Sequence, residues 1–84
     1  MKEDLNIPIR SPGQLGNALL RFRRQAEATQ AAIGSRAGVK QGAISTLEGG
    51  APGVRLGTLF RVLAALDLEF VVRRRRKGTH GPTP

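Results

Sequence analysis

Eighty-four residues without a cysteine leave room for one core and exclude disulfides, thiolate metal sites and cysteine nucleophiles. Fourteen Lys and Arg against six Asp and Glu give a net charge of +8, a balance that suits a polyanion, most commonly nucleic acid. Five of those positives form one run, Arg73 to Lys77; nine against six, or +3, remain elsewhere, so charge alone decides little.

A chain this short is marginal by itself, which makes a partner or a dimer interface an expectation. It has no apolar run of signal-peptide or membrane-span length, and a cytoplasmic location is expected by default. His80 lies in a Gly/Pro/Thr tail, a poor place to hold catalytic geometry. Neither a carboxylate pair, nor an activated nucleophile, nor a metal-ligand cluster stands out, so no metal, cofactor or enzymatic activity is expected.

Residues 1–10 read as an N-terminal arm, in which Leu5, Ile7 and Ile9 alternate and Pro8 limits any strand to an edge. The first helix is announced by "SPGQLGNALLRFRRQAEA". Ser11 is a good N-cap, Pro12 suits the first helical position and Gln14 completes a capping box. Leu15, Ala18, Leu19, Phe22 and Ala26 recur at helical spacing and are expected to face inward. A second helix, "QAAIGSRA", starts behind Thr29 and stops at Gly38, which supplies a left-handed residue. At eight or nine residues it needs packing to hold it. Gly34 costs about 1 kcal/mol against alanine there, which suggests that another helix passes close by.

A third helix is read from Gln41 to Glu48, with Val39, Ile44 and Leu47 inward. Gln41 and Ser45 are four apart, as are Gly42 and Thr46, so the four form one exposed face. After the loop "GGAPGV", a fourth helix, "RLGTLFRVLAAL", places Leu56, Leu59, Phe60, Leu63 and Leu66 on its apolar side, and Asp67 ends it. "LEFVVR" reads as a strand with Leu68, Phe70 and Val72 on one face. Residues 73–84 form a basic, Gly/Pro-rich tail expected to be disordered.

Two short helices joined by a tight turn containing glycine make a helix-turn-helix. The major groove of B-DNA, about 12 Å wide, accepts one helix, provided that an apolar side anchors it and a polar side meets base edges. Gln41 can pair twice with adenine, Lys40 can reach guanine or phosphate, and Ser45 and Thr46 can serve base or backbone. Gly42 leaves room for a thymine methyl. The N-terminus of the second helix, at Thr29 and Gln30, offers N–H groups to a phosphate. With Arg55, at the head of the fourth helix, these residues complete the candidate DNA-binding set. Polar outer faces also occur in plain helical bundles, so pattern alone leaves that reading open.

From Leu15 to Leu66 the chain resembles the XRE/Cro family of DNA-binding domains. The signature is "TQAAIGSRAGVKQGAISTLEGG", in which Thr29-Gln30, Ile33, Gly38-Val39, Ile44-Ser45 and Leu47-Glu48 occupy the family's expected places. The resemblance implies a mostly α, four- to five-helix lambda-repressor-like domain over residues 11–72. It implies that Gln30 holds a phosphate, that Gln41, Gly42, Ser45 and Thr46 face base edges, and that a structural ion pair joins Arg23 to Glu48. The chain departs from the family in three places: Gly34 replaces a usual alanine, Glu27-Ala28 the common Gly-Leu, and Lys40 a Ser or Thr cap.

The two ends, "IRSPGQLGNALLRFR" and "RLGTLFRVLAALDLEFVVR", are similar to HipB-type antitoxins of bacterial toxin–antitoxin systems. That resemblance implies a C-terminal strand pairing across a homodimer, repression of the protein's own operon at a palindromic site, and a HipA-type serine/threonine kinase toxin as partner. The strand supports a dimer independently, because its backbone groups need a ladder partner. Pairing with the Leu5–Ile9 arm is the alternative. For the basic run, a solvated charge run, non-specific attraction to phosphate and ordering against an acidic partner all remain open. Two further functions stand beside the antitoxin–repressor: a stand-alone XRE-family regulator without a toxin, and a protein-interaction module that no longer reads DNA.

Overall fold

Four helices carry the described residues, 6–75, in the computed structural model: α1 (Pro12–Gln25), α2 (Gln30–Ala37), α3 (Gln41–Glu48) and α4 (Leu56–Ala65). α3 packs on α1 and α2, and α4 closes over α2. Leu19, Ile33, Ile44, Leu47, Leu59, Val62 and Leu63 meet in the centre, with Leu15, Val39, Val54, Leu66 and Leu68 at its edge. Burying one such aliphatic side chain is worth about 1.5–3 kcal/mol, so this cluster is what holds the two eight-residue helices in place.

Local chemistry sets the starts of the helices. Ser11 Oγ accepts from Gln14 N at 3.1 Å and Thr29 Oγ1 from Ala32 N at 3.0 Å. The capping box differs in one bond from the expectation: the Gln14 side chain accepts from Arg10 N, one residue before the cap. α3 and α4 begin at Lys40 and Arg55 with no side-chain cap.

All four ends turn through a residue of positive φ: Glu27 at 56°, Gly38 at 73°, Gly50 at 83° and Asp67 at 62°. Behind α1, Glu27 N donates to Arg24 O and Ala28 N to Arg23 O; behind α4, Asp67 N donates to Ala64 O and Leu68 N to Leu63 O. This paired bonding satisfies the last carbonyls of each helix. Glycine adopts such a φ freely, whereas Glu27 and Asp67 do so under strain.

Several inward assignments need correction. Ala26 caps α1 and is exposed, because the helix stops at Gln25. On α4 the buried stripe is Leu59, Val62 and Leu63, while Leu56 and Phe60 are 67% and 53% exposed. Leu56 opens the helix, and Phe60 lies on its flank, edge-to-face with Phe70 at 5.2 Å and 87°.

The expected helix passing Gly34 is replaced by the turn that follows α2: a Cβ there would lie 2.8 Å from Val39 O and 3.4 Å from Gln41 N, where α3 begins. Gly16 was not expected to matter, yet it is buried, and its Cβ would stand 2.6 Å from both Leu47 O and Glu48 O.

Among the described residues there is no β ladder. No backbone bond joins residues 6–9 to 69–75, so the described residues give the arm pairing no support. Phe70, Val71 and Val72 are 43%, 72% and 98% exposed. The expected tail lies largely outside the described residues, which end at Arg75.

Candidate nucleic-acid interface

The turn between α2 and α3 is built from Gly38 to Lys40. Gly38 takes the left-handed conformation, Val39 N donates back to Gly34 O at 2.9 Å, and the half-buried Val39 side chain pins the turn to the core. α3 then leaves the turn packed against α2, with Ile44 and Leu47 only 2% and 4% exposed. Gln41, Gly42, Ser45 and Thr46 all lie in solvent on the other side. Burial of two apolar residues thus decides that amide and hydroxyl groups face outward.

The flanking candidates are likewise accessible. Lys40 is exposed and spends no side-chain bond on its helix. A Cβ on Gly42 would meet nothing within 4 Å, so packing makes no demand for glycine there. Thr29 is exposed with its oxygen engaged as the cap of α2, and Arg55 is exposed at the head of α4 with no hydrogen bond to the α3 face.

Beneath this surface runs a chain of polar side chains. The Arg23 guanidinium donates through Nε to Glu48 Oε2 at 2.5 Å and through Nη2 to Oε1 at 3.0 Å. Its Nη1 donates to Ala28 O at 2.9 Å, which ties the end of α1 to the entry of α2. Gln30 Nε2 donates to the same Glu48 Oε1 at 3.0 Å, and Gln41 Nε2 to Gln30 Oε1 at 3.3 Å. The ion pair is largely sheltered, with side chains 14% and 8% exposed. Burial pushes the Glu48 carboxyl upward, but the bonds from Arg23 and Gln30 and the charges of Arg23 and Arg24 outweigh it and hold it below the ordinary carboxylate range. The bond to Glu48 raises the Arg23 guanidinium further.

The comparisons agree with this geometry. A family described as a helix-turn-helix domain matches residues 14–76. Antitoxin HipB of Escherichia coli (strain K12) is 36% identical over 64 residues, which cover 76% of this chain and 73% of that one. The chain belongs to the HipB-type helix-turn-helix family. HipB in a HipA–HipB–O2–O3 complex superposes with a TM-score of 0.78 at 33% identity, over 82% of this chain and 97% of that one. HipB in an O4 20mer complex gives the same values. Among the described residues, no helix of this HipB-type chain is long and apolar enough to cross a membrane.

Sequence reasoning placed Gln30 at a phosphate and missed that it bridges Gln41, at the head of α3, to Glu48, at its end. The bond partners lie eleven and eighteen residues away, and only the turn brings them together. Gly16 left a legible signal in this HipB-type sequence, since Gly13 and Gly16 both weaken an otherwise strong helix. Of the strand residues expected at a dimer interface, Leu68 packs on its own core, while Phe70 and Val72 remain exposed, with Val71 between them.

Proposed function

We propose that the chain is a dimeric, sequence-specific DNA-binding repressor that regulates its own operon and serves as the antitoxin of a HipA-type serine/threonine kinase. The observation that carries this is the outward face of α3: Gln41, Ser45 and Thr46 are exposed directly behind the buried Ile44 and Leu47. The likeness to HipB in its HipA and O2–O3 complex supports both the DNA and the kinase partner. Thr29, Gln30, Lys40 and Arg55 are the phosphate and flanking contacts in this reading, and no step of it calls for a metal, a cofactor or catalysis. Such a regulator works where the chromosome is, in the cytoplasm.

Dimerisation is supported by the apolar edge that one chain leaves open. Phe60, Phe70, Val71 and Val72 are all exposed, and residues 69–75 have no backbone partner among the described residues. Pairing this segment with its twin supplies a ladder partner and gives a two-fold axis. Two copies of α3 then lie about 34 Å apart, one turn of DNA, and read a palindrome.

A gel shift on the protein's own upstream DNA, with and without the neighbouring gene product, tests this. A discrete complex is expected, with Gln41→Ala losing about 1–3 kcal/mol at one base pair. Equal affinity for unrelated duplexes, or an unchanged Gln41→Ala variant, overturns it. Binding without any kinase partner leaves the stand-alone regulator.

A further inference from the structure

We infer that Glu48, with Arg23 behind it, is a positioning residue for base reading: through Gln30 it fixes which way the Gln41 amide faces. The inference rests on the DNA-binding reading above and concerns a residue that does not itself reach the duplex.

The orientation follows from donor and acceptor chemistry. A side-chain amide offers a carbonyl oxygen at one corner and an NH2 group at the other, and shape alone distinguishes the two poorly. Glu48 removes the ambiguity. Its carboxylate is held ionised between Nε and Nη2 of Arg23, and an ionised carboxylate only accepts. Gln30, 3.0 Å away, must therefore turn its nitrogen to Glu48 and its oxygen outward. That oxygen also only accepts, so Gln41 must turn its nitrogen toward Gln30, at 3.3 Å.

The consequence lies at the surface. Gln41 keeps its Oε1 and one Nε2 hydrogen for a partner, an acceptor beside a donor in a fixed order. Adenine presents the complement in the major groove, an N6 hydrogen beside the N7 acceptor. Without Glu48 both amides are free to rotate by half a turn, and Gln41 meets the base in two orientations. Arg23 also holds the Ala28 carbonyl, so the same cation that charges the device ties α1 to the entry of α2.

Two variants test the relay. Glu48→Gln removes the charge and keeps the shape; Gln30→Met breaks the link and leaves the Arg23–Glu48 pair in place, so it carries the test should Glu48→Gln fail to fold. Binding of the full chain is measured on its upstream duplex and on duplexes substituted at the base pair whose discrimination Gln41→Ala abolishes. Both variants are expected to lower that discrimination ratio three- to tenfold, and neither to change it further in a Gln41→Ala background. Loss of a phosphate bond by Gln30→Met affects all duplexes alike and cancels in the ratio. In the free protein, the Gln41 side-chain amide resonances shift in both variants. A discrimination ratio that survives both substitutions, or a loss that persists without Gln41, overturns the relay alone. A wild-type chain that binds every duplex equally overturns the repressor reading and the relay's role in it, while unmoved Gln41 amide resonances overturn the relay's geometry.

Discussion

Replacing Gly16 by alanine sets two effects of known size against each other. Alanine is favoured over glycine inside a helix by about 1 kcal/mol, so a reading of α1 alone makes Gly16→Ala stabilising. The added Cβ, however, would stand 2.6 Å from the carbonyl oxygens of Leu47 and Glu48, where ordinary contact begins at 3.4 Å. The last turn of α3 must retreat by the difference, ~0.8 Å. These are backbone atoms with no rotamer to change, and they carry Leu47 in the core and Glu48 in its ion pair. Overpacking of this kind costs about 1–3 kcal/mol; taking the upper end and subtracting the helix gain leaves a net loss of about 2 kcal/mol. For a domain of this size that lowers Tm by roughly 8–16 °C. The assay is thermal unfolding by far-ultraviolet circular dichroism at one fixed chain concentration, since dimerisation couples Tm to concentration. Gly13→Ala is the control: on the same helix, its Cβ would meet only Ser11 Oγ, at 3.9 Å, and it is expected to be neutral or slightly stabilising. A Gly16→Ala chain as stable as wild type refutes the close approach of α1 and α3.

The remaining expectations use other parts of the fold. Glu27→Gly relieves a left-handed glutamate and should add about 0.5–1 kcal/mol in denaturant unfolding, the strain removed exceeding the entropy glycine brings to the unfolded chain; a loss of stability would contradict the helix end described. Lys40→Ser supplies α3 with its missing cap and should raise stability by about 0.5–1 kcal/mol, while reducing the salt dependence of DNA binding by about one counterion. The two readouts move in opposite directions, which a purely structural lysine would not produce. Because the folded Glu48 carboxyl sits below its unfolded value, the unfolded chain binds more protons, and stability rises with pH through that range. The contribution is complete above the unfolded value, about 4.3, and is lost as the pH falls through the folded one. Urea titrations between pH 6 and 3 should therefore show a shallower pH slope in Glu48→Gln than in wild type; equal slopes would remove Glu48 as the cause.

Much of the fold could be read directly because its signals are local. Ser11 and Thr29 cap the helices their sequence context assigns to them, Gly38 ends α2, and the spacing of Ile44 and Leu47 sets which side of α3 is buried. The errors share a cause as well. Leu56 stands in the first turn of α4 and Phe60 lies about 100° round the helix from Leu59, at the edge of the buried stripe, where exposure depends on what packs alongside and not on spacing. Ala26 was assigned inward because periodicity continues past the point where Glu27 turns the chain. At the candidate interface, the types and phase of Gln41, Ser45 and Thr46 were legible from spacing, and the Arg23–Glu48 pair from resemblance. The bridge through Gln30 was not, because hydrogen bonds between residues far apart in sequence arise only once the turn has closed.

Where Gly16 lets α1 rest on the carbonyls that finish α3, the two helices touch main chain to main chain. Side chains rock between rotamers in picoseconds to nanoseconds, whereas a contact between backbones has no such freedom. The element that is to enter the groove is thus referenced to an almost unyielding surface, and its thermal wobble is small before any duplex arrives. Such a protein gives up little motion on docking, and the precision with which it meets its target is settled at folding.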